Sequence, residues 1–171
     1  VLPLRERHFD RDTNRLGQLF GVVRIDRQRV TQFPARAREL AEHEHTVFVV
    51  PAGQTWTLAF ETREKGSFLD AVAFRDARRG FVLGDPIDGR WFLLETKDGG
   101  KSWKRIPGPS VDPGEAAFAA SNSALFLGPG RELWIVSGGL PKGRVAHSRS
   151  DGVQWDTLES PMAGSATSGV F

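Results

Sequence analysis

The sequence predicts an all-β chain of successive four-stranded antiparallel units, and three observations predict it. First, a turn of distinctive chemistry recurs. Thr96 to Trp103 (TKDGGKSW) joins two strand patterns, Ser148 to Trp155 (SRSDGVQW) keeps its hydroxyl residue, glycine and tryptophan, and Val49 to Trp56 (VVPAGQTW) keeps only Gly53 and Trp56. Second, those tryptophans stand 47 and 52 residues apart, close to the roughly 40 to 50 residue period of four-stranded propeller blades. Third, the apolar runs are short and turn-linked with no helical pattern between them, which argues for β-propeller blades over alternating strands and helices.

The chain divides by composition near residue 46. Residues 1–46 hold nine Arg and no Lys against seven acidic residues, whereas residues 47–171 balance fourteen basic with fourteen acidic residues and carry all five tryptophans. The first segment has an apolar, Arg-broken stretch (LGQLFGVVRIDRQRV) and then FPARARELAEHEHT. The Ala, Leu and Glu content after Pro34 predicts one short helix; the alternative is disorder. Neither half carries the blade pattern, so residues 1–46 read as foreign to the domain behind them. Glu42-His43-Glu44-His45 reads as a solvated helix end rather than a metal cluster.

From Thr46 the pattern is that of strands. TVFVV and TWTLAFE predict two strands joined by the PAGQ turn, a partial blade over 47–67. The next unit, 68–112, is the clearest: FLDAVAF, GFVLGD, RWFLLET and WKRIP are four strands split by RDARR, PIDG and KDGGKS. Its successor, 113–162, repeats the plan with EAAFAAS and ALFLG, then ELWIVSG, RVAHSRS and WDTLESP, and 163–171 (AGSATSGVF) begins another unit. Closed propellers need about four to eight blades, so the expectation is a fragment of two to three blades whose open edges drive self-association.

The chemistry of the turn is separable into parts. Asp98 can accept hydrogen bonds from the amides that follow it, Gly99 and Gly100 can take positive φ, and Trp103 can fold back under the turn as a buried anchor. Thr96, Asp98, Gly100 and Trp103 fill the four positions of S/T-x-D-x-G-x-x-W, and the turn resembles the Asp-box, or bacterial neuraminidase repeat, of sialidase-type β-propellers. Ser148, Gly152 and Trp155 fill three positions of the second turn, where Ser150 replaces the aspartate and Asp151 falls one place late. FLDAVAF, GDPIDGR, TKDGGKSW, PGEAAFAAS and AGSATSGVF then follow in a family-like order. On these segments residues 47–171 resemble the photosystem II assembly and stability factor-like, glycosyl hydrolase-like repeat propellers of bacteria. That resemblance implies a ring of about six or seven blades. It also implies an exported protein, periplasmic or secreted, acting as a scaffold for a protein or glycan partner.

Charge and composition exclude several classes. A formal charge of +2 is too small to argue for nucleic acid, and no apolar run reaches the length of a membrane-inserted helix. The start, VLPLRERHFDRDTNR, has no signal-peptide core, and the absence of cysteine excludes disulfides and thiolate chemistry. No phosphate-binding or dinucleotide glycine motif occurs, GSATSG lacks the lysine, and no cofactor is predicted.

For catalysis, the sialidase mechanism needs a tyrosine nucleophile, and the chain has none. A two-carboxylate glycosidase needs acids roughly 5 to 10 Å apart with one pKa raised. Asp70, Asp85, Asp88 and Glu115 are the candidates for that role. The competing reading makes Asp85 and Asp88 caps of the DPIDG turn and Glu115 a cap or ion-pair partner at a blade entry. DPIDG has too few oxygens for calcium, and His147 stands without a second ligand for zinc, so no metal is predicted. Arg90, Ser165, Thr167 and Ser168 are candidates to line a ligand pocket, the last three otherwise serving packing. Trp91 and Trp134 either belong to the core or stack on a sugar or partner. The leading reading is a non-enzymatic propeller module binding a protein or glycan, and the rival is a piece of a glycoside hydrolase.

Overall fold

The computed structural model describes residues 46–49, 57–62, 64–118 and 123–170. The expectations for residues 1–45, and for Gly53 and Trp56, lie outside these residues. Every regular element among them is a strand: β1 (Thr46–Val49), β2 (Thr57–Glu61), β3 (Leu69–Phe74), β4 (Gly80–Ile87), β5 (Arg90–Thr96), β6 (Lys104–Ser110), β7 (Leu125–Leu127), β8 (Leu133–Val136), β9 (Lys142–Ser148) and β10 (Asp156–Ala163). β1 and β2 form a hairpin, β3 to β6 a first four-stranded sheet, and β7 to β10 a second, each strand hydrogen-bonded to its neighbour in sequence. The described residues are all-β, a hairpin followed by two successive four-stranded antiparallel meanders.

Alternation along the strands sorts side chains onto two faces. In the first sheet, the rung Val72–Val82–Leu94 points one way and the rung Ala73–Phe81–Glu95 the other. Leu125–Ile135–Ala146 and Phe126–Trp134–His147 are the corresponding rungs of the second sheet. Phe81, Leu83, Trp91 and Leu93 pack against Leu125, Leu133, Ile135 and Ala146 in one core between the sheets. Val82, Phe92 and Leu94 make a smaller core on the far face of the first sheet, with Phe60 of β2 tilted against Phe92 at 6.3 Å. Trp91 is a core residue at 2 % exposure.

The unequal tryptophan spacing has a local cause. Asp85 N donates to Phe68 O in the first unit and Gly138 N to Ala116 O in the second, an offset of 48 residues between acceptors. Four residues later in the first unit stands Val72, whose counterpart Leu125 is nine residues beyond Ala116. Five extra residues therefore enter ahead of the inner strand of the second sheet. EAAFAAS is accordingly not a strand over its described part; Ala116 makes only an isolated bridge to Gly138, and β7 is confined to Leu125–Leu127. The segment after β10 is likewise a turn at 165–168, with Gly169 bridged to Gly138, rather than the start of a strand. Gly138 and Gly169 lie so close that a Cβ on Gly169 would stand 2.2 Å from the Cα of Gly138.

Candidate functional site

Each sheet has a turn end and a loop end, with different chemistry. At the turn end, Gly100 N donates to Thr96 Oγ1 at 2.9 Å, Thr96 Oγ1 donates to Asp98 at 2.8 Å, and Ser102 N donates to Asp98 Oδ1 at 2.9 Å. The second turn keeps this arrangement. Gly152 N donates to Ser148 Oγ and Gln154 N to Ser150 Oγ, both at 2.9 Å, so the Ser150 hydroxyl does the acceptor work of Asp98. The donors around Asp98, Ser102 Oγ first and then the Ser102 amide and Thr96 hydroxyl, lower its pKa from 3.8 to about 2.

Trp103 and Trp155 each stand on the face turned toward the preceding strands. Trp103 meets Phe74 edge-on at 5.9 Å beside the smaller core, and Trp155 packs against the inter-sheet core and donates from Nε1 to Gly152 O at 3.0 Å. Both are half-buried. Trp103 is thus half-buried against the smaller core rather than fully enclosed as expected of it.

Asp151 is the residue sequence reasoning missed. Its backbone takes the positive φ (55°) that Gly99 takes in the first turn (76°), and its amide donates to Arg131 O as Gly99 N does to Arg78 O. Its carboxylate, 1 % exposed, meets Arg75 at 3.2 Å, Arg79 at 3.0 Å and Arg131 at 2.7 Å. Arg79 also pairs with Glu95 at 2.6 Å, and Arg75 donates to Gly128 O and Glu132 O of the second sheet. This network ties the two sheets together at the turn end. Its only signal in the sequence was an acid standing one place late in the second turn.

At the loop end, the Asp88-Gly89 turn (φ 53° and 74°), the 111–116 connection, the Gly138-Gly139 turn and the 165–169 turn come together. Gly139 N donates to Ser168 O, and Glu115 N to Asp112 O. A groove of about 480 Å³ opens here, lined by Asp85, Pro86, Val111, Asp112, Pro113 and Glu115 among others. Glu115 is buried and fully engaged: Arg144 reaches it at 2.6 Å, Ser137 Oγ donates to it at 2.6 Å, and Asp112 N donates at 3.0 Å. Asp112 is also paired with Arg144, at 3.1 Å.

The remaining candidates are distributed. Asp88 is exposed at the apex of its turn, while Asp70 is buried in β3 where the register to β4 shifts. Arg90 is exposed and donates to Gly108 O at 3.0 Å. Ser165 and Ser168 share a hydroxyl hydrogen bond of 2.9 Å, and Thr167 N donates to Ser165 Oγ. Of the four candidate acids, the groove brings Asp85 and Glu115 together and leaves out Asp70 and Asp88. His147 lies in contact with Glu132 at 3.8 Å and stacks on Trp134. Among the described residues no group of acids, histidines or cysteines is placed to hold a metal, and no helix is long and apolar enough to cross a membrane.

No family model matches the chain. The chain is similar to the chloroplastic photosystem II stability/assembly factor HCF136 of Arabidopsis thaliana, at 29% identity over 102 residues. A solved structure of YCF48 bound to D1 peptide overlaps it with a TM-score of 0.45 at 22% identity, over 68% of this chain. The match spans 24% of the Arabidopsis protein and 34% of the solved chain.

Proposed function

We propose that this chain is a protein-binding β-propeller module, a scaffold rather than an enzyme, and that its loop end is the binding face. The observation that carries the reading is the 102-residue similarity to a stability/assembly factor, on sheets of blade construction. The groove supports it by shape and chemistry. Half-exposed Asp85 and exposed Asp112 stand beside Val111 and two prolines, a lining suited to an extended protein segment that brings a basic side chain. The turns at 96–103 and 148–155 are, in this reading, Asp boxes that staple their hairpins and take no ligand. An extracytoplasmic working place belongs to the same reading.

Glycan binding and glycoside hydrolysis have less support, because the candidate acids are already employed or kept apart. Glu115 is held by Arg144, Ser137 and the Asp112 amide, and Asp88 shapes a turn. A D1 peptide, the segment carried by the solved neighbour, is the first probe. In calorimetric titration the expected result is saturable binding that an Asp85→Ala/Asp112→Ala variant weakens about tenfold, a loss of about 1.4 kcal/mol. Equal binding by the folded double variant, or release of an aryl glycoside's chromophore by the wild type, would replace this reading.

A further inference from the structure

The sequence holds three Asp-Gly pairs, Asp88-Gly89, Asp98-Gly99 and Asp151-Gly152, and no Asn-Gly pair. Each carries the same latent chemistry. The glycine amide nitrogen can attack Cγ of the aspartic acid, giving up its proton as the acid gives up hydroxide, so that one water leaves and a five-membered succinimide forms. Water then adds back at either ring carbonyl. Opening at one returns aspartate; opening at the other leaves isoaspartate, in which the main chain runs through Cβ and Cγ and the former main-chain carbonyl becomes a free carboxylate. No oxidant or cofactor enters, and the product has the mass of the starting chain. Glycine favours the step because no side chain shields its amide or restrains the rotation that brings it to Cγ.

Two of the pairs are held by the fold. The Asp98 carboxylate accepts from Ser102 N at 2.9 Å, Ser102 Oγ at 2.5 Å and Thr96 Oγ1 at 2.8 Å. These donors keep it ionised and so oppose the loss of hydroxide. Gly99 N is committed to Arg78 O at 2.8 Å. The Asp151 carboxylate lies among three arginines, and Gly152 N donates to Ser148 Oγ at 2.9 Å. In both pairs the attacked carboxyl and the attacking amide already have partners.

Asp88-Gly89 differs in both respects. Among the described residues the Asp88 carboxylate takes no hydrogen bond or ion pair, and Gly89 N donates none. Backbone shape does not make the distinction, since φ is 53° at Asp88 and 55° at Asp151. Asp88 and Gly89 are exposed, and a Cβ on Gly89 would meet nothing within 4 Å. The tip is lightly tied: Ile87–Arg90 is the last rung between β4 and β5, the register shifts between Gly84 and Ile87, and Pro86 brings no N–H to the ladder. Opening it therefore breaks few hydrogen bonds. We infer that Asp88-Gly89 is a self-modifying site, where the folded chain converts spontaneously to isoaspartate while Asp98 and Asp151 are preserved. Val111 N donates to Gly89 O at 3.1 Å, and both residues line the groove at the loop end. The carbon added to the main chain ahead of Gly89 displaces that oxygen, so, on the reading that the groove binds protein, conversion alters the binding face itself.

Peptide mapping tests it on the whole chain, aged folded in warm neutral buffer beside a sample aged in denaturant. Tryptic digestion with electron-transfer fragmentation separates isoaspartate from aspartate at each pair. Segment 80–90 carries its own control in Asp85, because Pro86 has no N–H to attack with. In denaturant all three pairs should convert at similar rates; in the folded chain Asp88 should convert at least about tenfold faster than Asp98 or Asp151. The Val111 amide should lose protection from exchange as conversion proceeds. Equal conversion at the three pairs in the folded chain, or an unchanged Asp88 by the time the denatured sample has converted, would overturn the proposal. A Val111 amide equally protected in the converted chain would overturn the link to the groove. Neither readout involves peptide binding, so failure here is distinct from failure of the binding face.

Discussion

Asp98 and Ser150 occupy the same place in two copies of one turn, and they differ in how they respond to acid. The folded pKa of Asp98 is depressed from 3.8 to about 2, so its contribution is fully present above the higher value and is lost as pH falls toward the lower. Ser150 accepts the equivalent hydrogen bond without a titrating group. The Ser102 amide should therefore lose protection from exchange between those two pH values while the Gln154 amide keeps its own, and Asp98→Asn should abolish the difference. Parallel loss at both amides would show that Asp98 does not govern its turn. Asp151 carries a larger penalty, since truncating it leaves three arginines around an empty site, one of them mostly buried. Asp151→Ala should cost about 3 kcal/mol in denaturant unfolding, and a loss no larger than that of an exposed ion pair would contradict the inter-sheet role.

The elements were legible in proportion to how local their causes are. Asp88-Gly89 and the strands around it follow from turn chemistry and alternation, and the four strands of the first sheet fall where the apolar runs put them. The inner strand of the second sheet was harder to read because five inserted residues break the repeat ahead of it, and the described part of EAAFAAS makes an isolated bridge, Ala116 to Gly138, rather than a strand, despite a strand's composition. Tryptophan burial was legible only in part, because it depends on which sheet faces which. Trp91 lies in the core between the two sheets, and Trp103 is half-buried at the edge of the smaller core. Trp91→Ala should cost about 3 to 5 kcal/mol, the range for emptying a buried aromatic site, and Trp103→Ala clearly less. Equal losses in thermal melts would mean that the two faces are equally enclosed.

Across the whole molecule, the candidate site was less readable than the fold because it is made by pairings far apart in sequence. Glu115 is fixed by Arg144 and Ser137, and Asp151 by Arg75 and Arg79, and nothing in the spacing of these residues announces the pairs. Both networks join one blade to the next or lock the entry to it, so the central claim is that the two sheets share one core and open together. Native-state hydrogen exchange measures this directly. Amides of Phe81, Leu83 and Leu93 in the first sheet should exchange with the same free energy of opening as those of Leu133, Ile135 and Ala146 in the second. Asp151→Ala should lower both sets by the same amount. Two distinct opening energies, with the substitution felt only in the second sheet, would contradict a shared core and leave two sheets that fold independently.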